Sequence, residues 1–205
     1  MSFVKMDLEE FSERLAAKDA VPGGGGVSAL VASLGASLAS MVGNLTVGKA
    51  KYAPYETQVQ AIMDSARELQ RQLLALIDAD AEAFAPLAKV YAIPKETLGR
   101  EELMEQALAE AARVPMEILR CAAKGIDLHA QLTDKCSVLA VSDVATGVAM
   151  CRAALYGAAV NVRVNTRLMK NRAYADELDR EAERLLNTYG KIADGVYEQV
   201  WETLS

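Results

Sequence analysis

The uncharged stretch Ala20 to Gly48, AVPGGGGVSALVASLGASLASMVGNLTVG, decides how this chain folds. It is long enough to cross a bilayer, which takes about 20 apolar residues. Against a span stand Ser28, Ser33, Ser37, Ser40 and Asn44, the glycine run at one end and the absence of Trp or Tyr at either border. A lone span would also leave the other helical patterns unexplained. The stretch therefore reads as a buried helix over about 27–47. Gly35, Ala39 and Gly43 share one face, and Ser28, Ala32, Ala36 and Ser40 a neighbouring one. Small side chains on several faces let other helices approach closely, so this helix is central.

Upstream, Asp7 followed by Glu10 forms a capping box, and Leu8, Phe11 and Leu15 fall on one face of a short helix ending near Lys18. Pro22 and Gly23 to Gly26 break it. Downstream, 55–91 carries the seam Ile62, Ala66, Leu69, Leu73 and Leu76 in steps of four and three, with Asp80 at the next seam position. After a connection at Pro94 and Gly99, 101–124 is helical with Leu108, Ala111, Ile118 and Ala122 inward; Pro115 kinks it and Gly125 ends it. Ser142 caps an Ala-rich helix reaching about Asn171. Val160 to Asn165 alternates as a strand would, but the Ala153-Ala154 and Ala158-Ala159 pairs and the lack of a turn signal favour helix. Leu178, Ala182, Leu185, Tyr189, Ile192 and Val196 repeat the seam on a last, charged helix.

No repeat or linker divides the chain, so 1–205 reads as one domain. The fold class is all-α, an up-and-down bundle of about six or seven helices. Two of those helices carry little charge on any face and are hard to cover from within. A homodimer that buries part of them is the simplest solution.

A net charge of −6 without a Lys/Arg block excludes nucleic acid and an anionic membrane as main partners. Cys121, Cys136 and Cys151 have no CxxC spacing, and the single His129 cannot complete a His/Cys zinc set, so no metal is expected. Unpaired cysteines and an N-terminus, MSFVKMDLEEF, without an apolar signal core point to the cytoplasm. His129, between Asp127 and Thr133, reads as a surface residue outside any site.

The glycine run contains neither GxxxxGK[ST] nor GxGxxG, and by itself reads as a flexible approach to the helix. Acids are the sharper signal. Asp80 interrupts an apolar seam, and Asp143 opens a helix whose next turns are apolar; such carboxylates are either paired or bind a ligand. Asp143 in a first turn also complements the helix dipole. Asn161 and Asn165, one turn apart, either present amides to a heterocycle or bridge helices. Lys49 and Lys51 either meet an anionic substrate or favour the end of the central helix. No Ser/His pair or thiol motif supports nucleophilic catalysis.

Taken together, these blocks resemble a known family. Pro22-Gly23-Gly24-Gly25, the small-residue helix with Ala29-Leu30 and Met41-Val42, and Gly48-Lys49-Ala50-Lys51-Tyr52 are similar to the signature of the cyclodeaminase/cyclohydrolase family, the C-terminal domain of formiminotransferase-cyclodeaminase. Asp78-Ala79-Asp80, Ala83-Phe84, Pro94-Lys95, Val114-Pro115, Ser142-Asp143 and the run Gly157 to Asn165 resemble later blocks in the same order, nearly the whole chain.

The resemblance implies an all-helical homodimer acting on one-carbon tetrahydrofolate derivatives, with no cofactor beyond that substrate. Such enzymes cyclise 5-formimidoyltetrahydrofolate to 5,10-methenyltetrahydrofolate with loss of ammonia, or hydrolyse the methenyl bridge to 10-formyltetrahydrofolate. The cyclodeaminase is the first reading, the cyclohydrolase the alternative, and a non-catalytic folate-binding dimer a third. A separate formiminotransferase would make any transfer from formiminoglutamate.

On this resemblance Asp80 and Asp143 are the expected catalytic acids beside the one-carbon unit. One shuttles protons and the other stabilises an amidinium-like cation. Ser142, Asn161 and Asn165 orient the pterin; Lys49, Tyr52 and Arg163 meet the aminobenzoylglutamate side; Gly23, Gly24 and Gly25 let backbone approach the ligand. Two departures stand out. Gly26 replaces a common Ser, and Lys135-Cys136-Ser137-Val138 replaces an Asn-rich turn.

Overall fold

Asp7 opens the first helix as its capping box predicts: its carboxylate accepts the Glu10 N–H at 2.8 Å, and α1 (Leu8–Ala16) follows. Its apolar face is less buried than the pattern predicts. Phe11 is inside, but Leu8 is 79% and Leu15 39% exposed, because this short helix touches the bundle through one residue. The computed structural model, which describes residues 2–205, continues with α2 (Gly24–Asn44), α3 (Glu56–Tyr91), α4 (Arg100–Leu132), α5 (Val141–Thr166) and α6 (Arg172–Thr203). No strand occurs among the described residues, so the all-α expectation holds and Val160 to Asn165 is helical.

Sequential long helices run antiparallel. α2 lies at the centre, against α3, α4 and α5, and the small residues explain how. A Cβ on Gly35 would stand 2.5 Å from Cys151 Sγ of α5, and one on Gly43 would overlap Met63 of α3. At both crossings a side chain of the neighbouring helix packs directly on the glycine backbone of α2. The predicted α3 seam is fully internal: Ile62, Ala66, Leu69, Leu73 and Leu76 are all buried.

Three expectations change. α2 starts at Gly24, so the glycines form its first turn rather than a flexible approach. α4 does not stop at Gly125 but continues to Leu132. Gly125 sits where α4 crosses α5, 2.7 Å from Cys151 Sγ if given a Cβ, and this packing outweighs a helix penalty of about 1 kcal/mol for glycine. Third, the helical continuation carries His129 into the core, where its side chain is fully buried against Gly147. Nε2 faces the Gly35 carbonyl at 3.0 Å and therefore donates to it, while Nδ1 has no partner. Burial pushes the imidazole pKa down to about 4, against a smaller upward pull from that carbonyl.

α2 and the stretch Val138–Thr166 are each long and apolar enough to cross a membrane by length and composition. Here they pack antiparallel on one another, with Gly24 beside Asn161 and Ser28 beside Gly157. Each leaves an uncharged stripe partly or fully exposed at four/three spacing: Val31, Leu34, Leu38, Met41 and Leu45 on α2, and Thr146, Ala149, Ala153, Tyr156 and Val160 on α5.

Candidate active site

The first turn of α2 meets α3 at Asp80, about two thirds of the way along that helix. Gly26 N–H donates to Asp80 Oδ2 at 2.9 Å, and the carboxylate occupies the space where a Gly25 side chain would be. Glycine is required here by close approach, since Gly25 has ordinary helical geometry. Burial raises the pKa of Asp80, opposed by the Gly26 hydrogen bond. Two residues earlier, Asp78 accepts from Phe3 N–H at 2.6 Å and so fastens the N-terminal segment to the same helix.

Asp80 opens into a cavity of about 150 Å³ lined also by Ala20, Val21, Gly23 to Gly25, Phe84, Ala111, Pro115, Asn161, Val164 and Asn165. Asn161 lies against Gly24. Apolar and polar groups share the walls, the polar ones being Asp80, Asn161, Asn165 and the glycine backbone. Phe84 offers an aromatic face, and the N–H groups of Gly24 and Gly25 are donors in the first turn of a helix.

The other predicted residues gather at the opposite end of the α2–α5 pair. Lys49 Nζ donates to Ser137 Oγ at 3.0 Å, Ser137 N–H to Thr46 Oγ1 at 2.9 Å and Val138 N–H to Tyr52 OH at 3.0 Å. Lys49 and Tyr52 thus brace the Lys135 to Val138 turn, which leads directly into Ser142 and Asp143. Ala140, not Ser142, is the N-cap of α5, because a 3-10 turn at Val138–Ala140 runs straight into it. Ser142 is exposed in the first turn, and Asp143 beside it is half-buried.

Within one chain the structure does not bring Asp80 and Asp143 together. Asp143 precedes Asn161 by 18 residues on one helix, about 27 Å at 1.5 Å per residue. Arg163 belongs to neither cluster; it pairs with buried Asp179 of α6, which also accepts from Thr166 Oγ1 at 2.6 Å. Phe84, Ala111, Pro115 and Ser137 join these sites without having been singled out as site residues. Phe84 follows Asp80 by one helical turn, a signal present in the sequence; the pairing of Ser137 with Lys49 spans 88 positions and has none.

An all-α bundle whose glycine-walled helix terminus is set on a half-buried acid beside a small, partly polar cavity defines a helical enzyme domain. The sequence profile of the formiminotransferase-cyclodeaminase family matches residues 7–184, and the chain belongs to that family of folate one-carbon enzymes. It is 36% identical over 197 residues to methenyltetrahydrofolate cyclohydrolase of Methylorubrum extorquens, covering 94% of this chain and 95% of that protein. It is 28% identical to formimidoyltransferase-cyclodeaminase of Mus musculus, spanning 90% of this chain but only 35% of that protein's length. The crystal structure of formiminotetrahydrofolate cyclodeaminase from Thermotoga maritima superposes with a TM-score of 0.82 at 27% identity, covering 97% of this chain and 95% of that one.

Proposed function

We propose that this chain is a methenyltetrahydrofolate cyclohydrolase. Water adds to the methenyl carbon of 5,10-methenyltetrahydrofolate, the bond from that carbon to N5 breaks, and 10-formyltetrahydrofolate and one proton leave. The observation carrying this reading is the 36% identity, end to end, with a relative of that name. The reaction asks for a proton acceptor and for stabilisation of a cationic carbon, so the proposal includes no metal or redox cofactor. Free Cys121, Cys136 and Cys151 suit the reducing cytoplasm in which we place it.

Asp80 takes the proton from the attacking water and faces the amidinium. Gly23, Gly24, Gly25, Asn161 and Asn165 form the wall that holds the pteridine, with Phe84 across from it. The glutamate end needs cations, and Lys49 lies about 30 Å away along α2. A homodimer resolves that distance. A two-fold axis crossing the exposed stripes near Leu34, midway along α2, reverses both helices of the pair. It brings Lys49, Tyr52, Ser142 and Asp143 of the partner subunit toward this chain's Asp80 cavity. The stripes it covers are apolar and include Leu34 at 45% and Val160 at 68% exposure. Arg163, paired with Asp179, is left out of this arrangement.

The second reading is the cyclodeaminase, which sequence analysis placed first. The Thermotoga maritima structure favours it, since that chain is covered almost completely. There Asp80 in its protonated form would donate to the leaving ammonia, and a separate formiminotransferase would supply the substrate. The test follows the methenyl chromophore with purified protein. Faster decay of methenyltetrahydrofolate than in the uncatalysed control is expected. Chromophore growth from 5-formimidoyltetrahydrofolate with ammonia release would establish the cyclodeaminase instead, and folate binding without either change a non-catalytic dimer.

A further inference from the structure

Pro115 has no N–H, so the carbonyl of Ala111, one turn earlier in α4, lacks its helical donor. Asn165 of α5 fills the gap: its Nδ2 donates to Ala111 O at 3.1 Å and to Asn161 O at 2.9 Å. Both amide hydrogens are then spent on main chain. Asn161 is held in the same manner, its Nδ2 donating to Gly157 O at 2.8 Å. Backbone carbonyls accept and cannot donate, so they fix which way each amide points. No donor among the described residues meets Oδ1 of either residue. Together with Asp80, the side-chain groups of the cavity are therefore acceptors.

We infer that Asn165 is a specificity-determining residue, anchored on the carbonyl that Pro115 frees, whose Oδ1 is thereby left as an acceptor beside that of Asn161, so that this wall of the cavity selects a ligand edge built of N–H donors. On the folate reading, on which this rests, that edge is the amino-amide side of the pteridine. The proline is thus part of the site at one remove. It costs α4 a hydrogen bond and gives α5 a fixed point on the far wall of the cavity.

The test is a double-mutant cycle of P115A, N165L and P115A/N165L against the unmodified protein, read by thermal unfolding and by kinetics on methenyltetrahydrofolate. N165L leaves a buried carbonyl without a donor and is expected to lower Tm by about 5 °C. With alanine at 115 the main-chain N–H returns to Ala111, so the same change costs much less. KM is expected to stay about tenfold raised in the double variant, because the Asn165 acceptor is still missing from the cavity wall. Additive Tm losses would overturn the link to Pro115, and recovery of KM together with Tm would show that Asn165 is structural only. If N165L fails to fold, a folded double variant is the same rescue in stronger form, and failure of both overturns the link. Unmodified protein inert toward both folates would overturn the folate reading itself, and the unfolding cycle alone would then decide the anchor.

Discussion

The backbone of Gly25 lies so close to the carboxylate of Asp80 that a side-chain carbon there would overlap Oδ1. One residue on, a Cβ at Gly26 would meet nothing nearer than the Ile77 carbonyl at 3.5 Å, an ordinary contact. The two glycines should therefore respond in opposite ways. Gly25→Ala is expected to lower kcat/KM by about a hundredfold or more, because the acid must swing away. Gly26→Ala should keep activity and stabilise the protein by about 0.5–1 kcal/mol, the usual gain when alanine fits a helical glycine. Kinetics and thermal unfolding on the two variants check both.

Asp80 sets activity against stability. Burial raises its pKa above the unfolded value, so the native state favours the protonated acid. Its contribution to stability is full below the unfolded pKa and is lost as pH rises through the folded one. Asp80→Asn keeps an oxygen for the Gly26 N–H and removes the ionisation. At neutral pH the variant should melt higher than the unmodified protein while losing at least about a hundredfold in kcat. The gain in Tm should fade at acidic pH, and a variant melting lower at pH 7 would show that the carboxylate is better compensated than its surroundings suggest.

His129 gives the opposite pH dependence. A base whose pKa falls from 6.5 to about 4 on folding contributes stability above pH 6.5 that is lost as pH drops toward 4. That shift corresponds to about 3 kcal/mol at its acid limit. Denaturant titrations between pH 7 and 4 should show the decline. His129→Gln, which can still donate to the Gly35 carbonyl, should flatten it.

A site shared across a two-fold axis can be tested by complementation. D80N and K49A homodimers should each be impaired, the first in kcat and the second in KM. Mixed and allowed to exchange, half of the dimers become mixed, and each carries one intact site. Activity should rise to about a quarter of the unmodified level. No recovery after verified exchange would place Lys49 and Asp80 in separate roles.

The proposed dimer should fail without its apolar stripe. Leu34→Glu puts a charge at the midpoint of α2 and should give a monomer by light scattering, with activity lost although the helices remain by circular dichroism. A dimer of unchanged mass would move the interface elsewhere.

What the sequence determined is whatever is local to one helix. The α3 seam rests on 3.6-residue periodicity, whereas the Asp7 cap, the uncharged α2 and the helical reading of Val160 to Asn165, made against a two-residue alternation, rest on composition and neighbouring residues. Asp80 was legible from the periodicity, as a carboxylate out of place in its seam. Tertiary structure decided which helices meet. Gly125 signals a helix end until Cys151 is packed against it, and His129 signals surface until α4 carries it beneath Gly147. Pro115 and Asn165 lie 50 positions apart, so their joint claim on the Ala111 carbonyl has no trace in local pattern. The separation of Asp80 from Asp143 is of the same kind: spacing along a chain gives the rise of one helix, whereas the meeting of two ends depends on how helices, and copies of the chain, are laid side by side.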